Sequence, residues 1–328
     1  MLLLTIFIIV IALLFDFLNG MNDAANSIAT VVSTRVLSPK TAVLWAAVFN
    51  FAAAFGFGVA VAKTIGKGII DTEIVDPQVI LSALLSAVVW THVCTQFGLP
   101  ISASHALIGG LAGSGVVKGG FAALHIGGIT KVVTFIFLAP IIGLVASFFL
   151  MIVVTWIFRN SSGRKVDRLF RFGQLASSAA YSLGHGTNDA QKTMGIITVL
   201  LYSGGYIKEF EVPVWVILAA YTAIGFGTYA GGWKVIRTMG VKLTHLKPVG
   251  GFCAETAGAM VLFGTAMAGI PVSTTHTIAG SIMGVGSTRR ISAVRWGLAG
   301  RIIVAWVITI PVSSLLAALI YEVLKPLF

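Results

Sequence analysis

Charge is what this sequence has least of. Of its 328 residues, 10% are Asp, Glu, Lys or Arg and 57% are hydrophobic, whereas a soluble domain carries about 25% charged residues. So few charges cannot cover the surface of a water-soluble fold of this size. Acids are the scarcer sign, 11 against 22 Lys and Arg. The basic excess does not indicate nucleic acid, because the Lys and Arg residues lie in short loops between apolar runs, where the positive-inside bias puts them. Cysteine is almost missing. Cys94 and Cys253 sit far apart in apolar stretches and make neither a disulfide framework nor a metal knuckle; they read as small buried hydrophobes. No basic stretch precedes the first apolar run and no small-residue cleavage site follows it, which excludes a good signal peptide. There is no His-Glu-x-x-His, so a metalloprotease has no support. The glycines from Gly109 to Gly120 follow no strand and make no nucleotide loop; they suit close helix packing.

Long apolar runs are what the sequence does have. Leu2 to Phe17, Val43 to Ala62, Lys131 to Phe158 and Ile302 to Leu324 approach or exceed the roughly 20 residues of a bilayer-spanning helix. Buried strands of soluble α/β enzymes run only about 4–8 residues. The expected fold is an all-α polytopic membrane protein.

The chain also repeats itself. His185-Gly-Thr-Asn-Asp matches Asn19-Gly-Met-Asn-Asp at an offset of 166 (189 − 23). Gly269-Ile-Pro-Val-Ser-Thr-Thr-His matches Gly98-Leu-Pro-Ile-Ser-Ala-Ser-His at an offset of 171 (276 − 105), which also takes Pro140 to Pro311. Two homologous halves follow, 1–158 and 172–328. The joining segment 159–171 holds Arg159, Arg164, Lys165, Arg168 and Arg171 against the single acid Asp167, and is expected in the cytoplasm. Equivalent loops differ in charge: Lys234, Arg237, Lys242 and Lys247 correspond to a loop carrying Asp71, Glu73 and Asp76. The halves are therefore expected to be inverted-topology repeats. Each would contain a helical hairpin, broken near Pro100 and Pro271, and both termini would lie outside.

Polar residues interrupt the apolar runs at matched places. Asn22, Asp23 and Asn26 do so in the first half, and Asn188, Asp189, Gln191 and Lys192 in the second. An ionisable group at membrane depth costs at least ~2.5–3.5 kcal/mol and marks a functional site by default. Gly20 and Gly186 precede the two Asn-Asp pairs, and the expectation is an unwound turn whose carbonyls join the carboxylates in binding a hard cation. Glu255, in an apolar setting, joins this cation-binding set because a buried unpaired Glu is costly. Lys192 lies one turn after Asp189 and reads either as its ion-pair partner or as a contact for a substrate anion. Pro100 and Pro271 end one helix and sit just before the next. That makes Ser102, Ala103, Ser104, Ser273, Thr274 and Thr275 cap or first-turn residues, whose free N–H groups suit an oxyanion. Asp23, Asp189 and Glu255 are the candidate acceptors for a hydroxyl on that anion. His105 and His276 read as packing or supporting groups behind this site. Asp16, replaced by Ser182 in the second half, reads as structural.

With these residues assembled, the chain resembles the inorganic phosphate transporter (Pit) family. The resemblance rests on Gly20-Met-Asn-Asp-Ala-Ala-Asn, Gly186-Thr-Asn-Asp-Ala-Gln-Lys-Thr, Ala62-Lys-Thr-Ile-Gly-Lys-Gly-Ile-Ile-Asp71, Gly98-Leu-Pro-Ile-Ser-Ala-Ser-His105 and Pro271-Val-Ser-Thr-Thr-His276. It implies a non-enzymatic, cation-coupled uptake of phosphate across the cell membrane, with no further cofactor, extracellular termini and a homodimer; the family contains both sodium and proton coupling, and sodium is the expectation here. Glu255 matches a glutamate important in the family; a second family glutamate falls on Asn50, which departs from the pattern. The alternatives are a sulfate carrier of the same family and an intramembrane aspartyl protease. The protease signature Gly-x-Gly-Asp is missing, since Asp189 follows Thr187-Asn188.

Overall fold

A computed structural model describes residues 2–56 and 58–328. Its helices, in chain order, are α1 (Leu2–Ser33), α2 (Pro39–Ala52), α3 (Ala60–Lys67), α4 (Pro77–Phe97), α5 (Ala103–Gly119), α6 (Ile126–Ile157), α7 (Gly163–Ser203), α8 (Val214–Ala230), α9 (Trp233–Arg237), α10 (Pro248–Met267), α11 (Thr274–Ser287) and α12 (Trp296–Leu324). Extended pairing among the described residues is limited to a bridge between Ile70 and Leu124. The all-α class expected from composition is what forms. Five helices, α1, α4, α6, α10 and α12, are long and apolar enough to cross a bilayer, and up to seven spans result if the bent pairs α2–α3 and α8–α9 each count as one. One order of elements occurs twice: a long helix, a bent pair, a hairpin, and a second long helix with a proline inside it (Pro140, Pro311).

The hairpin breaks fall where the prolines predict. Helix α4 stops at Gly98, whose φ of 68° takes it into the left-handed region that glycine enters without a Cβ clash. Pro100 cannot continue the helix. Helix α5 restarts with Ser102 as its cap, the hydroxyl accepting from His105 N at 3.2 Å. Gly269 (φ 64°), Pro271 and Ser273 repeat this arrangement, with Ser273 Oγ accepting from His276 N at 3.2 Å.

Two expectations are corrected. First, α1 and α7 run unbroken through both Asn-Asp pairs. Gly20 and Gly186 do not unwind the backbone; they let another helix come close. A Cβ on Gly20 would lie 2.3 Å from Ile224 O, and one on Gly186 would lie 2.5 Å from Asn50 O. Second, Val43 to Ala62 is not one continuous helix: α2 ends at Ala52, a 3₁₀ turn covers Ala53–Phe55, and the separate helix α3 starts at Ala60. Most of the joining segment 159–171 is helical, because α7 begins at Gly163.

The two halves interlock. Helix α5 packs on α12, and α11 on α6; α1 packs on α8, and α7 on α2; α3 lies against α7, and α9 against α1. Small residues make the closest of these approaches. A Cβ on Gly109 would meet Ser313 Oγ at 2.2 Å, and one on Gly113 would meet Ser314 O at 2.1 Å. In the other half, a Cβ on Gly280 would lie 2.1 Å from Pro140 O, and one on Gly284 would lie 2.2 Å from Leu144 O. This bears out the reading of the glycine run as a packing surface. Each hydrophobic core draws on both halves: Leu107 shares one with Leu200 and Tyr221, and Ile28 shares another with Ile278 and Met239. The outer faces of α6 and α12 leave Phe137, Ile141, Phe149, Val304, Ile308 and Leu315 exposed, as a lipid-facing surface requires.

Candidate functional site

The unbroken middles of α1 and α7 carry their polar residues into the centre of the molecule. Asp23, Asn26, Asp189 and Lys192 are all buried there. The start of α11 comes to meet them. Thr274 Oγ1 lies 3.2 Å from Asp23 Oδ2 and 3.0 Å from Asp189 Oδ2. Thr275 Oγ1 lies 3.1 Å from Asp23 Oδ1 and 3.0 Å from Ile101 O, on the tip of the other hairpin. Asn26 Nδ2 donates to Thr275 Oγ1 at 2.9 Å and to Thr274 Oγ1 at 3.2 Å. Two carboxylates from two helices thus converge on the first turn of a third.

Lys192 closes the other side. Its ammonium donates to Asp189 Oδ1 at 2.5 Å, to Val272 O at 2.9 Å and to Ser104 Oγ. An ammonium has three N–H groups, so protein oxygens take all of them. The ion-pair reading of Lys192 is realised, and no donor is left for a substrate anion.

Ser102 and Ser273 spend their hydroxyls on capping. The amides of Ala103 and Ser104, and of Thr274 and Thr275, are then first-turn donors with no intrahelical acceptor. Each hairpin restart is therefore electropositive. His105 and His276 meet edge to face behind these turns at 4.8 Å, and His276 stacks on Trp306 at 3.9 Å. They pack the two tips together.

Other expected residues have different partners. Asn22 Nδ2 donates to Thr95 Oγ1 at 2.6 Å, and Asn188 Nδ2 donates to Gly184 O and Leu262 O, both at 3.0 Å. These two tie α1 to α4 and α7 to α10. Gln191 Oε1 accepts from Val61 N at 2.8 Å and Ala62 N at 3.3 Å; it caps α3 from a distance and turns away from the carboxylates. Glu255 has donors of its own: Thr30 Oγ1 at 2.5 Å, Gln174 Nε2 at 2.9 Å and Ser177 Oγ at 2.5 Å. None of the three bonds to Asp23 or Asp189, so Glu255 anchors a separate polar cluster between α1, α7 and α10.

Sequence reasoning missed His185. Its Nε2 lies 3.0 Å from Asp189 Oδ2 and 3.9 Å from Asp23 Oδ2, and the three residues form a cluster of metal-ligand type. Asn50 holds the ring, with Oδ1 3.0 Å from His185 Nδ1 and Nδ2 donating to Thr228 Oγ1 at 2.8 Å. The available signal was spacing: His185 sits one turn before Asp189 on the same face. Its repeat mate Asn19 hid it, being uncharged. Tyr181, whose hydroxyl donates to Thr274 O at 2.8 Å, was missed too; it lies on the same face of α7, four residues further back.

Paired buried carboxylates with hydroxyls, a buried ammonium and two electropositive helix starts are groups whose chemistry suits ions of both signs. The comparisons agree with that chemistry. A profile described as "Phosphate transporter family" matches residues 19–164 and 158–317. A "probable low-affinity inorganic phosphate transporter" of Rhizobium meliloti (strain 1021) is 56% identical, over 96% of this chain and 94% of its own. A protein of the same description from Bacillus subtilis (strain 168) is 45% identical, over 100% of this chain and 99% of its own. A solved structure described as "The sodium-dependent phosphate transporter" superposes with a TM-score of 0.89 at 26% identity, covering 99% of this chain and all of its own. The matched segments contain both Asn-Asp pairs and both hairpin restarts, and on those residues the chain belongs to the phosphate transporter family.

Proposed function

We propose that this transporter takes up inorganic phosphate in symport with a cation, sodium in preference to a proton, by alternating access. The observation that carries this reading is the meeting of Asp23 and Asp189 on the single hydroxyl of Thr274. Two carboxylates that close repel an anion unless a cation screens them. A cation held by Asp23, Asn26 and Thr275 does that, and lets phosphate approach the amides and hydroxyls of the two restarts, Ser102 to Ser104 and Ser273 to Thr275. Phosphate keeps at least one O–H at neutral pH, and the carboxylates offer the acceptor it needs; sulfate has no such proton. The sodium dependence of the structural neighbour supports sodium as the coupling ion.

The halves 1–158 and 172–328, joined by the basic segment 159–171, act as inverted repeats that rock about this centre. The segment lies in the cytoplasm and both termini lie outside a cell membrane. A homodimer follows from the family resemblance.

The test is uptake of radiolabelled phosphate into proteoliposomes with sodium and pH gradients imposed separately. Accumulation driven by the sodium gradient alone is expected. Accumulation driven only by the pH gradient overturns sodium, accumulation with neither overturns symport, and strong competition by unlabelled sulfate overturns the phosphate selectivity.

A further inference from the structure

The repeat relates two sets of oxygen atoms at the centre, and they are filled differently. Around Lys192 Nζ stand a carboxylate (Asp189 Oδ1, 2.5 Å), a main-chain carbonyl (Val272 O, 2.9 Å) and a hydroxyl (Ser104 Oγ). The repeat offsets carry these residues onto Asp23 (189 − 166), Ile101 (272 − 171) and Thr275 (104 + 171). The second trio is also assembled: Thr275 Oγ1 sits 3.1 Å from Asp23 Oδ1 and 3.0 Å from Ile101 O. Each trio takes its carboxylate from a long helix of one half. Its carbonyl comes from the hairpin tip of the same half, and its hydroxyl from the hairpin of the other half. Carboxylate, carbonyl and hydroxyl oxygens together are the ligand set of a hard monovalent cation.

The residues that accompany the trios differ. Lys192 corresponds to Asn26 (192 − 166). Asn26 reaches the same hydroxyl position, donating to Thr275 Oγ1 at 2.9 Å, but it brings no charge. Its Oδ1 is buried without a hydrogen-bond partner and is available as a fourth oxygen beside the Asp23 set. In the Asp189 set the chain itself supplies the positive charge, and that charge saturates its three donors on the trio.

We propose that Lys192 is a resident cation. Its ammonium replaces one of the two ions that a symmetric pair of aspartates would bind, so the exchangeable ion is confined to the Asp23 side. Each cycle then carries one co-transported ion fewer than a transporter with a neutral residue at both positions. This rests on the symport reading for its kinetic consequence, but not for its binding consequence. An ordinary ion pair does not account for the arrangement, because a pair needs only Asp189. The carbonyl and hydroxyl that complete the set have their counterparts assembled around Asp23, where no lysine is present.

The experiment compares the unmodified protein with Lys192→Asn, which copies Asn26, and with Lys192→Arg. Bound radiolabelled sodium is counted on purified protein at saturation. Thermal stability is measured in sodium chloride and in choline chloride of equal ionic strength. Equilibrium phosphate accumulation is measured against imposed sodium gradients at clamped voltage and pH. Lys192→Asn is expected to bind one more sodium per chain, and Lys192→Arg none more. The asparagine variant should lose stability in choline and regain it in sodium. Its accumulation at a tenfold sodium gradient should rise about tenfold, since one more ion then drives each phosphate. An unchanged sodium count, or a variant that stays unfolded in saturating sodium, overturns the inference. If the unmodified protein shows no cation-driven accumulation, symport fails, and the binding count still decides the role of Lys192.

Discussion

Asp23 and Asp189 occupy equivalent positions in the repeat but not equivalent environments. Asp189 touches a lysine and a histidine, while Asp23 touches two threonine hydroxyls. Asp23→Asn removes the charge at the set that has no cation of its own. Gradient-driven uptake is expected to fall at least a hundredfold, with protein still folded in the membrane, as read by tracer flux and by size-exclusion profile. Asp189→Asn should instead harm the fold, because it strands a buried ammonium, at a cost of about 3–5 kcal/mol; thermal denaturation in detergent measures it. Equal and purely functional losses in both variants would contradict the asymmetry. Glu255 belongs to a different cluster, and its three donors are protein groups. Glu255→Gln is accordingly expected to lower stability by about 1–3 kcal/mol and to leave competition by sulfate unchanged. A narrowed gap between phosphate and sulfate in this variant would return Glu255 to the substrate site.

At the scale of elements, much was legible in the sequence. The prolines with their serine caps located both hairpin breaks, since Pro removes a donor and Ser supplies an N-cap acceptor. The duplicated Asn-Asp pairs located the centre. Two signals misled. A glycine beside a buried polar pair reads equally as a hinge or as a contact surface, and only the neighbouring helix decides: Ile224 and Asn50 press against Gly20 and Gly186. Gln191 looked like a ligand because it lies beside Asp189 in sequence. Gln191 is two residues on from Asp189, and at ~100° per residue it points about 200° away around the axis, toward α3. Glycine packing gives a prediction at this scale. Gly113→Ala and Gly280→Ala each place a methyl about 2.1 Å from a main-chain carbonyl on α12 or α6. Overpacking of this kind costs about 1–3 kcal/mol. Both variants are expected to melt several degrees lower, whereas Gly127→Ala, with open space around it, should melt like the unmodified protein.

For the whole molecule, the loop charges make a claim about sidedness that labelling can check. Single cysteines at Ser161 and Lys242 should react with a membrane-impermeant maleimide only from the cytoplasmic side, and those at Thr72 and Ser203 only from outside. Lys242 is exposed, unlike the neighbouring Thr244, whose hydroxyl bonds Ala293 O. If Thr72 and Lys242 react from one side, the halves are not inverted. What the sequence could not convey at this scale is the exchange of partners. Internal similarity divides the chain at about residue 160, yet each hairpin finds its main support on the last helix of the opposite half. Pattern matching compares residues along the chain and carries no information on which copy a surface will pack against.

That exchange also sets a timetable. Helix α5 emerges from the ribosome long before α12, the last of the twelve helices. Through most of synthesis its glycine face at Gly109 and Gly113 has no Ser313 or Ser314 to rest on. The tip at Ile101 to Ser104 likewise waits for Lys192 and Thr275. The centre is therefore completed only once α11 has brought Thr274 and Thr275 to Asp23 and Asp189, and the hairpin that carries Ser104 gains its support later still, with α12.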